Sequence, residues 1–112
     1  MLNLEQFSGG DTHYRHGLVR GVTYTEGAKH VAETAGAYWF LDIIATNQID
    51  QKFKAQPFQV WKLTVSGSKA KIVVTDGNDG EIYTQDVDFT DFPEPGITLW
   101  CIDNVILLPS EY

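Results

Sequence analysis

Residues 36–47, running from Gly36 through Tyr38, Trp39, Phe40, Leu41, Asp42, Ile43, Ile44, Ala45 and Thr46 to Asn47, constrain the fold more than any other stretch. Read as a helix from Ala37 to about Ile49, the segment is apolar on nearly every side. Asp42 and Thr46 stand four residues apart and so fall on one narrow line. A helix of that composition is expected to be buried over most of its circumference. It is far shorter than the roughly 20 apolar residues that cross a bilayer, so no membrane partner is expected. The remaining chain has to cover a core helix.

The 112 residues suit one domain, 1–112, large enough to bury a core without covalent staples. One cysteine, Cys101, allows no internal disulfide and suits a reducing compartment. The first residues show neither a basic region nor an apolar run of signal-peptide type, which points to the cytoplasm. Charge is divided unevenly. All eight Lys and Arg lie within residues 1–71, whereas residues 72–112 carry nine acidic side chains and no base. A strongly acidic C-terminal part repels a phosphate backbone, so no direct nucleic-acid binding is expected, and a basic protein surface is the fitting partner.

Gly9-Gly10-Asp11 is a turn signal, and the first 24 residues read mostly as loop, with Leu18-Val19-Arg20 and Val22-Thr23-Tyr24 each able to pair briefly as a strand. Thr23 or Thr25 is placed to cap a helix in which Ala28, Val31, Ala32 and Ala35 form an apolar stripe. Gly36 is expected to break that helix from the core helix. Lys52 to Pro57 reads as a polar linker. Beyond it the period becomes two: Trp61, Leu63 and Val65 alternate with Lys62 and Thr64, and a return strand follows through Ala70, Ile72 and Val74. Glu81 to Phe89 is a third strand, with Tyr83, Val87 and Phe89 on its core face. Ile97 to Ile102 and Val105 to Leu108 close a hairpin over Asp103-Asn104. Helices first and strands afterwards predict an α+β fold, with N-terminal helices packed on one face of a four- or five-stranded antiparallel meander within residues 58–108.

Chemistry-bearing residues are few. His13, His16 and His30 are candidate metal ligands, but they lack the i, i+4 spacing of a helical zinc site and a clear carboxylate partner, so no metal or other cofactor is expected. Cys101 sits in the apolar run Leu99-Trp100-Cys101-Ile102, where a free cysteine behaves as a small hydrophobe rather than a nucleophile. Asp76 to Gly80 begins like a calcium loop, yet Gly80, Glu81 and Val87 stand where Asp, Gly and Glu are needed, which favours a plain turn. Asp42 within the core helix needs an Arg or backbone amides of the N-terminal loop as partner, or else serves as a catalytic acid. The densest functional stretch is Asp86, Asp88, Asp91 and Glu94 interleaved with Phe89 and Phe92. These carboxylates are expected to lie together without a local counter-charge. Asp86, Asp88, Asp91, Phe92 and Glu94 are the candidate interaction residues, with Phe89 turned into the core.

The segments Tyr14-Arg15-His16, Tyr24-Thr25-Glu26-Gly27, Ala35-Gly36-Ala37-Tyr38-Trp39, Gln59-Val60-Trp61-Lys62-Leu63, Phe89-Thr90-Asp91-Phe92-Pro93 and Asp103-Asn104-Val105-Ile106-Leu107-Leu108-Pro109-Ser110-Glu111-Tyr112 together resemble a family of short bacterial proteins of unknown function found with plasmid, phage and integrated-element genes. The resemblance spans almost the whole chain and implies a free-standing domain in a mobile-element setting, with no catalytic residue or ligand to carry over. Three functions stay open: a non-enzymatic interaction module whose acidic half binds a basic protein; a small metal- or thiol-dependent hydrolase using His13 and His16 with Cys101 or Asp42; and a structural homo-oligomer subunit, a homodimer being the simplest form.

Overall fold

The computed structural model describes residues 13–78 and 80–112. The switch of period after Pro57 marks the start of its sheet. Strand β3 (Phe58–Ser66) buries Gln59, Trp61, Leu63 and Val65 and exposes Lys62 and Thr64. The alternation means that one face is covered and the other open. β4 (Lys69–Thr75) returns beside it, aligning Leu63 with Ile72 and Trp61 with Val74, and β5 (Glu81–Val87) follows as the next neighbour. β6 (Gly96–Ile102) then crosses to the far side of β3, placing Leu99 beside Trp61 and Cys101 beside Gln59 on the covered face. β7 (Val105–Leu107) closes the predicted hairpin, with Asp103 and Asn104 both at positive φ, as a tight hairpin turn requires.

The sheet does not stop there. β1 (His13–Arg15) and β2 (Thr23–Thr25) pair with each other, and β2 runs parallel to β7 with Thr23 opposite Val105 and Tyr24 opposite Ile106. The order is β1-β2-β7-β6-β3-β4-β5, a seven-stranded mixed sheet. The α+β class is as expected, whereas the four- or five-stranded antiparallel meander is not. β6 leaves the meander because its two faces are both largely apolar, which suits a central position rather than an edge. In the region expected to be mostly loop, the strand at Thr23–Thr25 falls close to the expected Val22-Thr23-Tyr24, and that at His13–Arg15 is unexpected. Leu18-Val19-Arg20 forms no strand but part of a turn, because three-residue strands carry too little alternation to be told apart. The Gly9-Gly10-Asp11 turn lies outside the described residues.

Helix α1 (Glu26–Thr34) buries Ala28, Val31 and Ala32 and is capped by Thr25, whose Oγ1 accepts the Ala28 N–H at 3.2 Å. Gly36 adopts φ of 62°, and the Ala37 N–H returns to the Ala32 carbonyl at 2.8 Å, so the expected break is a left-handed helix terminus. Helix α2 (Tyr38–Asn47) buries Phe40, Leu41, Ile44 and Ala45 against the sheet. Its other side is not covered as its composition suggests. Trp39 and Ile43 are half-buried, Tyr38 is exposed, and Ile49 lies beyond the helix end at 62% exposure. A single sheet beneath one face explains this, since only one stripe of α2 meets it. The expected polar linker contains a short helix, α3 (Gln51–Lys54), capped by Asp50, and its Phe53 is buried in a stack on Trp61 with centroids 5.6 Å apart. One apolar residue among polar ones gave the sequence no visible stripe.

The last residues lock onto the first helix. Glu111, in a 3-10 turn over Pro109–Glu111, is only 8% exposed. Its carboxylate accepts from Thr25 Oγ1 at 2.5 Å, the Leu108 N–H at 2.9 Å and the Gly27 N–H at 3.1 Å. An anion at the start of α1 also meets the positive end of the helix dipole. Gly27 leaves room for it, since a Cβ there would lie 2.5 Å from Glu111 Oε1 and 2.7 Å from Leu108 Cδ1. Within a helix, Gly→Ala ordinarily stabilises by up to about 1 kcal/mol. Here the sign reverses: Gly27→Ala lowers the urea midpoint, and a raised midpoint would show that the Glu111 contact yields without cost.

Candidate interaction surface

The acidic stretch begins on β5, where Asp86 faces away from the helices, directly across from Lys71 of β4. Asp88, Phe89, Asp91 and Glu94 follow in the segment joining β5 to β6 and are all exposed. That segment is pinned to the β3–β4 turn. The Thr90 N–H donates to the Ser68 carbonyl at 2.7 Å, the Val65 N–H to Pro95 O at 2.9 Å, and the Gly67 N–H to Glu94 Oε1 at 3.1 Å. Glu94 is therefore partly engaged in holding its own loop.

Two expectations reverse here. Phe92 is 3% exposed and belongs to the core, whereas Phe89 is 70% exposed. Strand alternation ends at Val87, and anchoring Thr90 on Ser68 shifts the phase, so Phe92 reaches the interior in place of Phe89. The carboxylates also do not lack a neighbouring cation. Lys69 and Lys71 share with Thr64, Ser66, Asp86 and Asp88 the walls of a shallow recess of ≈ 390 Å³. On the other side of Phe89 a second recess of ≈ 400 Å³ opens between the α1–α2 junction and the loop, lined by Trp39, Val87, Phe89, Asp91 and Phe92. Phe89 is the surface aromatic that periodicity misassigned as core, whereas Trp39 is half-buried and packs against the core from the recess wall.

The residues of the hydrolase alternative fall in three places: the His16–Asp42 pair, His13 on β1 and Cys101 on β6. His16 and Asp42 do meet: His16 Nε2 lies 2.8 Å from Asp42 Oδ1. Asp42 thus has an imidazole of the N-terminal loop as its partner, rather than an Arg or backbone amides. The opposite ring nitrogen, Nδ1, accepts from the Leu18 and Val19 N–H groups, each at 3.1 Å. Two donors on Nδ1 assign the proton to Nε2, which donates to Asp42. The ring is 4% exposed and both nitrogens are engaged. This arrangement seats the 16–22 loop, itself closed by His16 N–H to Val22 O at 2.9 Å, onto α2. His13 stands exposed on β1, and His30 lies on α1 with its Nε2 3.5 Å from Thr34 Oγ1. Among the described residues, no three His, Cys, Asp or Glu side chains gather as a metal site. At the 76–80 turn, Asp76 Oδ1 accepts from the Asn78 and Gly80 amides, so that carboxylate closes its own turn.

A buried polar cluster escaped the sequence reading. The amides of Gln48 and Gln59 bond each other in both directions at 2.8 and 2.9 Å, and Trp61 Nε1 donates to Gln59 Oε1 at 2.9 Å. Gln59 Nε2 also reaches the Phe53 and Gln56 carbonyls. Every group finds a partner, so the cluster fixes α3 against β3 and presents nothing to a ligand. No period marks a glutamine for burial.

Cys101 lies on the covered face of β6 and is fully buried. Burial pushes its thiol up to about 12 from 9.0, the Asn104 backbone hydrogen bond opposing that only in part. The folded state therefore favours the neutral thiol. Its contribution is complete below pH 9.0 and is lost as pH rises towards about 12, at about 1.4 kcal/mol per pH unit. Between pH 9.0 and 11 the parent should lose stability faster than Cys101→Ala in parallel denaturant titrations. Equal slopes would show that the thiol does not titrate in this window in the unfolded chain alone.

No helix among the described residues is long and apolar enough to cross a membrane. No curated protein and no solved structure matches the chain. A family model does, over residues 2–112, and the chain therefore belongs to that family, a family of unknown function designated DUF6876.

Proposed function

We propose that this protein is a non-enzymatic interaction module of the bacterial cytoplasm, encoded on a mobile element, that binds a basic protein through the acidic end of its sheet. The observation that carries the reading is Phe89. A 70%-exposed aromatic ring stands between exposed Asp88 and Asp91, at the mouth of the recess walled by Trp39 and Phe92. An aromatic face within carboxylates suits a Lys or Arg side chain, which gains from the ring quadrupole and from the charge. The plasmid and phage setting implied by the resemblance accords with a small acidic protein acting on a host or element protein.

The test uses capture of the partner from cells of the source, its identification, and association kinetics at several salt concentrations. Asp86→Asn, Asp88→Asn and Asp91→Asn together should slow association and flatten its salt dependence, while Phe89→Ala should mainly speed dissociation. Stability should hold in both. A triple variant that associates like the parent at every salt concentration defeats the acidic-surface reading.

One observation favours a second reading, the homo-oligomer subunit. On the open face of the sheet Phe58, Trp100 and Tyr112 form a continuous aromatic row, with centroids 5.1 and 5.6 Å apart. Sedimentation equilibrium should then show a dimer that Trp100→Glu dissociates, and a monomer at all concentrations would remove this reading.

A further inference from the structure

We infer that the partner docks by adding a basic, extended segment as an eighth strand along the free edge of β5. This rests on the basic-partner reading and names how such a partner is held.

β5 ends the strand order, so one side of its backbone has no described strand to pair with. It is seven residues long, against three for β1 at the other end. None of its seven residues is fully buried, although β3 and β4 alternate strictly with buried positions. Sheet edges are ordinarily blunted by brevity, proline, lysine or a bulge. β5 has no proline and no lysine, and its register irregularity is confined to the Val74/Thr75 end. The middle, Ile82-Tyr83-Thr84-Gln85, is an uncharged run of strand-forming residues. Among the described residues nothing pairs with the outer N–H and C=O groups of this strand, which an extended segment completes in register.

Charge selects the occupant. β5 carries Glu81 and Asp86 and no base, so a second copy of β5 would bring more carboxylates and no cation. A basic strand instead places Lys or Arg beside Asp86, on the side opposite Lys71, within the roughly 5 Å of cross-strand neighbours. Directly after Val87 stand the exposed Asp88 and Phe89, available to meet the end of the segment. The edge acids thus exclude self-pairing and admit a cationic strand.

The test measures binding of a nine-residue peptide alternating Lys with Val and Thr, its copy N-methylated at alternate amides, and a Glu-for-Lys copy, to the full chain. The parent peptide should bind, slow amide hydrogen exchange within 81–87, and lose at least tenfold on N-methylation. Asp86→Lys with Asp88→Lys should reverse the preference towards the Glu peptide. If the N-methylated peptide binds equally well, charge alone acts: the added strand is overturned and the basic-partner reading stands. If no peptide binds, the added strand is overturned, and the salt-dependence experiment decides the basic-partner reading separately. Dimerisation that protects 81–87 without peptide would make a second copy the occupant and overturn the inference.

Discussion

The Glu111 carboxylate, nearly buried at the start of α1 and held by donors from Thr25, Gly27 and Leu108, ties the end of the described chain to its first helix. Parallel pairing of β2 with β7 makes the contact possible, because both strands run towards the same end of the sheet. There β2 passes directly into α1 and β7 passes through Leu108 into the final turn. Helix position, sheet order and the absence of a side chain at Gly27 thus depend on one another. A buried carboxylate without such donors would be strongly unfavourable, whereas here backbone and hydroxyl donors reach both oxygens at the favourable end of a helix.

What the sequence made legible follows from period and from turn chemistry. The alternation in Trp61, Leu63 and Val65, the return through Ala70, Ile72 and Val74, the turn at Asp103-Asn104, the Gly36 break and the cap at Thr25 are local signals with local causes, and each corresponds to an observed feature. Strand order is not local. Nothing within residues 96–102 states that they pair with β3 rather than β5, and nothing in Thr23-Tyr24-Thr25 names β7 as its neighbour. The surface was legible in charge but not in aromatics. Phe89 and Phe92 are three residues apart in a loop, where neither a helical nor a strand period applies, so hydrogen bonds from the loop to the β3–β4 turn decide which one is buried. The Glu111 contact and the Gln48–Gln59 pair were invisible because their partners are far away in sequence or carry no period.

The molecule divides its polar chemistry by depth. Inside, His16, Gln48, Gln59 and Glu111 are saturated with partners and stiffen the joints between helices and sheet. Outside, the carboxylates around Phe89 are held at the rim of the sheet by a loop fixed to the β3–β4 turn. A loop tied down in this way keeps its charges in place, so the proposed partner would meet a preformed surface and lose little freedom in ordering it.

The displacement of β6 across β3 has a bearing on how the chain folds. β3, β4 and β5 are joined by short turns and pair with near neighbours, whereas β6 must reach back to β3 across two intervening strands and β2 must find β7 some 80 residues away in sequence, Thr23 aligning with Val105. Contacts at such separations form late, because loop-closure entropy is lost before they return any energy. Until β6 arrives, the apolar strand Phe58 to Val65 is itself an edge, with its backbone unpaired on one side. The strand at the centre of the finished sheet is thus the most adhesive part of the unfinished one, and the speed of β6 docking sets how long a newly made chain is exposed to aggregation.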